Sequence, residues 1–176
     1  KILGAGEALS PAWRTDGTSG YDFMDQVSAL QHDPAGQAPL DAYWQRLSGR
    51  SADFHVEEQA AREEILAWTF PGQLDAAAAA FHRLAEAERS EVTQGMLRRA
   101  IAALLTRFRV YRTYANDEGA ASPHLLAARD AARATVAPGE AFVLDLLCDW
   151  IAGTRAADSG ILTALEGSAV IGCESR

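Results

Sequence analysis

The chain reads as mainly α, and three observations carry that reading. Apolar residues recur at helical spacing over 74–85, 97–108 and 142–151, which is the pattern of helices with one face turned to a core. Pro71-Gly72 falls just before the first of those stretches and Pro138-Gly139 just before the last, where breaks belong. Only two short pieces, near 1–3 and 109–114, have the extended or β-branched and aromatic texture of strands.

The elements follow in order. "KIL" is an apolar run that reads as a strand fragment, followed by a glycine-containing loop with a break at Pro11. From Tyr21 the pattern turns helical, with Phe23, Val27 and Leu30 on one face, and "HDPAGQ" ends it. Leu40, Tyr43, Trp44 and Leu47 mark a second helix that stops near Gly49. A third covers about Phe54 to Phe70, with Ala61, Ile65 and Trp68 on one face. Leu74, Ala77, Ala78, Phe81, Leu84 and Ala85 define a fourth; its "AAAAA" run needs no special role, because alanine is the best helix former. Ser90 is the expected N-cap of a fifth helix, whose stripe is Leu97, Ala100, Ile101, Leu104, Leu105 and Phe108. In "FRVYRTY" the helix should give way to a short strand, since Val110, Tyr111, Thr113 and Tyr114 are β-formers. Ser122-Pro123 is a helix start, N-cap followed by proline in the first turn, for a helix to about Thr135. Phe142, Leu146, Leu147, Trp150 and Ile151 give the last strong helix, and a short one is expected around Ile161–Leu165. Two orphan strands in a helical chain would leave backbone groups unpaired, so their partners are expected outside it.

The composition narrows the function classes. Of 176 residues 48% are hydrophobic, enough for a buried core. A net charge of −8 argues against nucleic-acid binding and against electrostatic docking on anionic lipid, since both need basic residues. A neutral substrate such as a sugar is compatible with it. Cys148 and Cys173 form no CxxC pair and no disulfide framework, so a reducing cytoplasm is the default compartment and Cys148 reads as a buried structural thiol. No apolar run reaches membrane-spanning length and no signal peptide opens the chain. The opening at Lys1 without methionine suggests a mature product or an excised piece.

Most candidate constellations have a plainer reading. "ILGAGEAL" lacks the third glycine of a dinucleotide fingerprint, Leu9 standing in its place, and Pro11 follows where a helix should begin. His55, Glu57 and Glu58 do not have metal-site spacing and read as a solvated helical face; no metal or cofactor is implied. Asp16 with Asp22 or Asp25 could form a carboxylate pair for acid–base work, but more plainly Asp22 and Asp25 lie in the first turn of a helix, where the dipole favours negative charge. Two clusters stay open. Tyr21, Phe23, Tyr111 and Tyr114 are flat faces on which sugars stack, and Arg112 and Asp22 can hold hydroxyls; equally, the aromatics can be core and the charged pair surface.

A resemblance bears on that choice. "KILGAGEALSPAWRTDGTSGYDF" resembles the stretch "EKIL…GE.L...W...GTTGYDF" of maltooligosyltrehalose synthases through Lys1, Ile2, Leu3, Gly6, Glu7, Leu9, Trp13, Gly17, Thr18, Gly20, Tyr21, Asp22 and Phe23. "FRVYRTY" resembles the same family's "FPVYRTY", with Arg109 where proline is usual. Residues 24–107 match in texture only, and "SAVIGCESR" does not look like the family.

The resemblance implies a cytoplasmic α-amylase-superfamily enzyme of trehalose biosynthesis, a (β/α)8 barrel carrying a helical insertion. The parent would turn the reducing-end α-1,4 bond of a maltooligosaccharide into an α,α-1,1 bond by intramolecular transglucosylation with retention, an isomerase reaction. The chain would then comprise a barrel-derived strand and substrate-side loop over 1–23, a helical insertion over 24–107, a barrel-derived strand-like segment over 108–116, and further helices with a divergent tail over 117–176. Trp13, Tyr21, Asp22, Tyr111, Arg112 and Tyr114 become substrate-side candidates, with Tyr21–Asp22 and Tyr111–Arg112 expected on one side of the parent barrel. The family's catalytic carboxylates would fall before Lys1 and beyond the last residue, so no residue of this chain is nominated as catalytic and the piece alone is expected to be inactive. Its partners would be the maltooligosaccharide and the rest of the barrel. The rival reading is a free-standing helical protein-interaction domain that does no chemistry.

Overall fold

The computed structural model describes residues 3, 8–110 and 122–154. Among them are seven α-helices and three short 3-10 turns. Backbone contacts divide the chain into two units, Lys1–Ala61 and Arg62–Arg176.

The first unit opens with a 3-10 turn at Pro11–Trp13, followed by α1 (Tyr21–Ala29). A second 3-10 turn at Pro34–Gly36 is capped by Asp33, whose carboxylate accepts from the Ala35 N–H at 2.9 Å. It leads into α2 (Gln37–Ser48), which stops at Gly49 in the left-handed region, φ +67°, a conformation that only glycine adopts without strain. Asp53 then begins α3 (Phe54–Trp68) by accepting from the His55 N–H at 2.9 Å. The apolar stripes exist as the periodicity predicts, but they are uncovered. None of α1, α2 and α3 has a buried residue, and the first buried side chain among the described residues is Leu74.

The second unit holds the core. It contains the latter part of α3, then α4 (Pro71–Ala87), α5 (Gln94–Arg107), α6 (Pro123–Arg133), a 3-10 turn at Pro138–Glu140 and α7 (Ala141–Ala152). The central helix is α5, which packs on α4, α6 and α7. Every residue of the stripe from Leu74 to Ala85 is buried, as are Leu97, Ala100, Ile101 and Leu104, with Leu105 and Phe108 packed against them. Trp150 closes the core from α7: it stacks on Phe81 with ring centroids 5.8 Å apart, and its Nε1–H donates to Glu88 Oε1 at 2.9 Å. That bond answers the polar edge of an otherwise apolar anchor. Cys148 is buried as expected, and desolvation pushes its thiol up to about 11.

Several expectations need correction. The helical run does break before Pro71-Gly72, as expected, but the pair itself is the first turn of α4, because proline at the first helical position gives up an N–H that has no partner there anyway. The N-cap of α5 is Thr93, whose hydroxyl accepts from the Met96 N–H at 3.3 Å; Ser90 belongs to the end of α4. There Arg89 turns left-handed, φ +55°, its N–H bonding Glu86 O at 3.0 Å while the Ser90 N–H bonds Ala85 O at 2.8 Å. Those two bonds make a Schellman ending with arginine where glycine is usual. Phe142 is exposed; Val143, Leu144, Leu147 and Trp150 form the inward face of α7 instead. No strand occurs among the described residues. Phe108, Arg109 and Val110 leave α5 without pairing, since β-propensity makes no strand without a ladder partner. The rest of both strand-like pieces, and the helix expected at Ile161–Leu165, lie outside the described residues.

Candidate functional site

The candidates the structure describes sit at the entrance to α1. Gly20 is the N-cap residue with φ +86° and ψ 10°, and its carbonyl accepts from the Met24 N–H at 3.0 Å. A side chain at that position would be strained, so the glycine sets the turn. Gly20 has no side chain with which to cap the helix, and Thr18 supplies a substitute two residues earlier. Its hydroxyl accepts from the Gly20 N–H at 3.1 Å and donates to Asp22 Oδ1 at 2.5 Å. Thr18, Gly20 and Asp22 therefore form one hydrogen-bonded corner.

The corner fixes the state of Asp22. The Thr18 hydrogen bond, then the N–H groups of Asp22 and Phe23, hold its carboxyl below the ordinary carboxylate range. An exposed carboxylate so held is ionised at neutral pH. It suits accepting hydroxyl hydrogen bonds and does not suit a general acid, which needs a raised pKa. Beside it Tyr21 is 48% exposed and Phe23 67%, leaving aromatic faces open at the corner. Trp13 is half-buried in the preceding 3-10 turn, where its N–H bonds Ser10 O at 3.1 Å. Tyr111, Arg112 and Tyr114 lie outside the described residues, as does any relation between them and Asp22.

Sequence reasoning missed Thr18, although a signal existed: a threonine two before a helix-starting glycine and four before an aspartate can serve both. It also missed the end of α5. Arg62 on α3 donates through Nη1 to Phe108 O, and the next residue, Glu63, faces Arg107 with Oε1 3.9 Å from Nη1. Glu63 and Arg107 line an open groove of about 420 Å³ together with Leu66, Leu74, Ala102 and Thr106. None of the sequence-predicted candidates lines it. Among the described residues no cluster of metal-ligating side chains occurs, and no helix is long and apolar enough to cross a membrane.

Comparison with known proteins adds one finding. No protein-family model and no solved structure matches the chain. Over 146 residues it is 30% identical to proteins assigned the name maltooligosyl trehalose synthase in two strains of Mycobacterium tuberculosis, CDC 1551 / Oshkosh and ATCC 25618 / H37Rv. The match covers 79% of this chain and 18% of each relative, so the chain spans less than a fifth of the length of the curated relatives it matches.

Proposed function

We propose that the chain is a segment of a maltooligosyltrehalose synthase, supplying a helical wall and the Thr18–Gly20–Asp22 corner to a sugar site. The observation that carries this reading is the similarity over 79% of the chain to relatives of that name. The corner supports it: an ionised Asp22 beside exposed Tyr21 offers a hydroxyl acceptor next to a stacking face. The uncovered stripes of α1 and α2 support it too. Faces carrying Phe23, Leu30, Leu40 and Leu47 in the open are surfaces for the remainder of a larger enzyme to cover.

In this reading the glucosyl C1–O4 bond to the reducing-end glucose breaks and a bond from the same C1 to that glucose's anomeric oxygen forms. O4 takes up a proton and the anomeric hydroxyl gives one up, so the product is an isomer of the substrate. The nucleophile and the acid–base carboxyl come from residues outside this chain. Its own residues hold the sugar and help keep water out.

The test is incubation with maltopentaose. The protein that contains this chain should convert it to a product without a reducing end, and the chain alone should not. Release of glucose alone by the containing protein, or no reaction, defeats the reading. The same exposed faces also fit a helical interaction domain without chemistry, and that second outcome would favour it.

A further inference from the structure

The outward face of α7 carries an aromatic ring that the packing of the bundle does not use. From Val143 to Trp150 every apolar side chain of the helix is buried, yet Phe142 is 51% exposed. It stands in register with Asp145, Leu146 and Asp149, at i, i+3, i+4 and i+7, so the four share one stripe. Together with Ser90, at the end of α4, they line an open pocket of about 270 Å³. All five residues belong to the second unit. The lining combines a flat ring, a buried leucine, a hydroxyl and two carboxylates. Apolar and aromatic surface with a few polar groups set into it is the composition of a small-molecule site.

We propose that this pocket holds a glucosyl unit of a neutral α-glucan, the C–H face of the sugar lying on Phe142 while its hydroxyls donate to Asp145 and Asp149. The choice of a glucan rests on the function proposed above. The choice of a neutral ligand over a cation rests on the charges around the pocket. Arg133 donates through Nη2 to Asp145 Oδ1, and Arg129 Nη1 lies 3.5 Å from the same oxygen. Arg129 also pairs with Asp130 at 2.8 Å. The two guanidiniums of α6 thus offset much of the negative charge beside the pocket, and a cation would gain little there. They also fix the Asp145 carboxylate from one side and leave Oδ2 as an acceptor, which is what a sugar hydroxyl needs. Asp149, at the last turn of α7, is tied to Thr154, whose hydroxyl bonds the Asp149 carbonyl at 3.1 Å and lies 3.4 Å from Oδ1. Both acceptors are therefore held by neighbours before a ligand arrives, which lowers the cost of ordering them on binding.

The experiment is affinity electrophoresis of the protein that contains this chain, through gels of increasing soluble-starch content. The unmodified protein should be retarded. Phe142→Leu, which keeps apolar bulk and removes the flat face, should weaken the affinity about three- to tenfold, with the thermal midpoint unchanged. Phe142→Tyr, which keeps the ring, should be retarded like the unmodified protein, and Asp149→Ala should be retarded less. Absence of retardation in the unmodified protein overturns the proposal. So does a leucine variant that binds starch as well as the unmodified protein, or one that loses affinity only together with its thermal midpoint. The functional reading is judged separately, by whether the unmodified protein forms a product without a reducing end from maltopentaose. Retardation that depends on the Phe142 ring supports the pocket whether or not that product forms.

Discussion

The helices before Leu74 and those after it carry the same kind of apolar stripe and meet different fates. On α2, Leu47 is 66% exposed; on α7, Leu147 is fully buried. Both lie at the helical repeat of other apolar residues. Amphipathicity therefore establishes that a face is available for burial, and says nothing of what buries it. The bundle of α4 to α7 finds its cover within the chain, through α5 at its centre. The stripes of α1 and α2 find none among the described residues.

The sharpest way to break that comparison is to truncate one leucine from each region. Leu147→Ala should destabilise the chain by about 2–5 kcal/mol in urea unfolding, the range for a buried leucine that leaves a cavity. Leu47→Ala should change it by no more than about 0.5 kcal/mol, as exposed substitutions do. Equal losses would mean that the α2 stripe is buried in solution, against a second copy for example, and the contrast would fall.

A smaller effect sharpens the account of the bundle. Arg89→Gly should stabilise by about 0.5–1 kcal/mol, because glycine takes the left-handed region that arginine occupies under strain. A loss of stability instead would show that the Arg89 side chain contributes more than its backbone geometry costs.

The smallest effect tests the corner before α1. Thr18→Val should raise the Asp22 pKa toward its ordinary value, read by NMR titration of its side-chain carbon. Since the folded-state pKa is lowered, this interaction is present above the unfolded-state value and is lost as pH falls through the lowered one. An unmoved pKa would remove Thr18 as the cause.

Much of the bundle was legible in the sequence. The stripes at 74–85 and 97–104 are buried as their spacing predicts, and Ser122 caps α6 by accepting from the His124 N–H at 3.3 Å. Ser90 misled because serine is also at home at a helix end; only the left-handed Arg89, which no composition announces, reveals that α4 is still closing there. Phe142 misled because a phenylalanine next to Val143 and Leu144 on a strongly apolar helix satisfies more than one phase of the repeat. Of the site, the glycine-set turn before Tyr21 was readable, since glycine has few rivals at positive φ. The Arg62–Phe108 contact joins residues 46 apart in sequence by one long side chain, and no local pattern encodes that.

The placement of the core at one end of the sequence also sets a schedule. Synthesis runs from the amino terminus, so the open stripe of α1 leaves the ribosome before the bundle does, and Trp150, which completes the bundle, comes roughly 130 residues later. At about 5–20 residues per second that interval is on the order of 6–25 s. Phe23, Leu30, Leu40 and Leu47 present apolar faces throughout it, and they are still exposed once the bundle is complete. The α1 and α2 stripes are thus apolar surface that closure of the bundle does not withdraw from a chaperone.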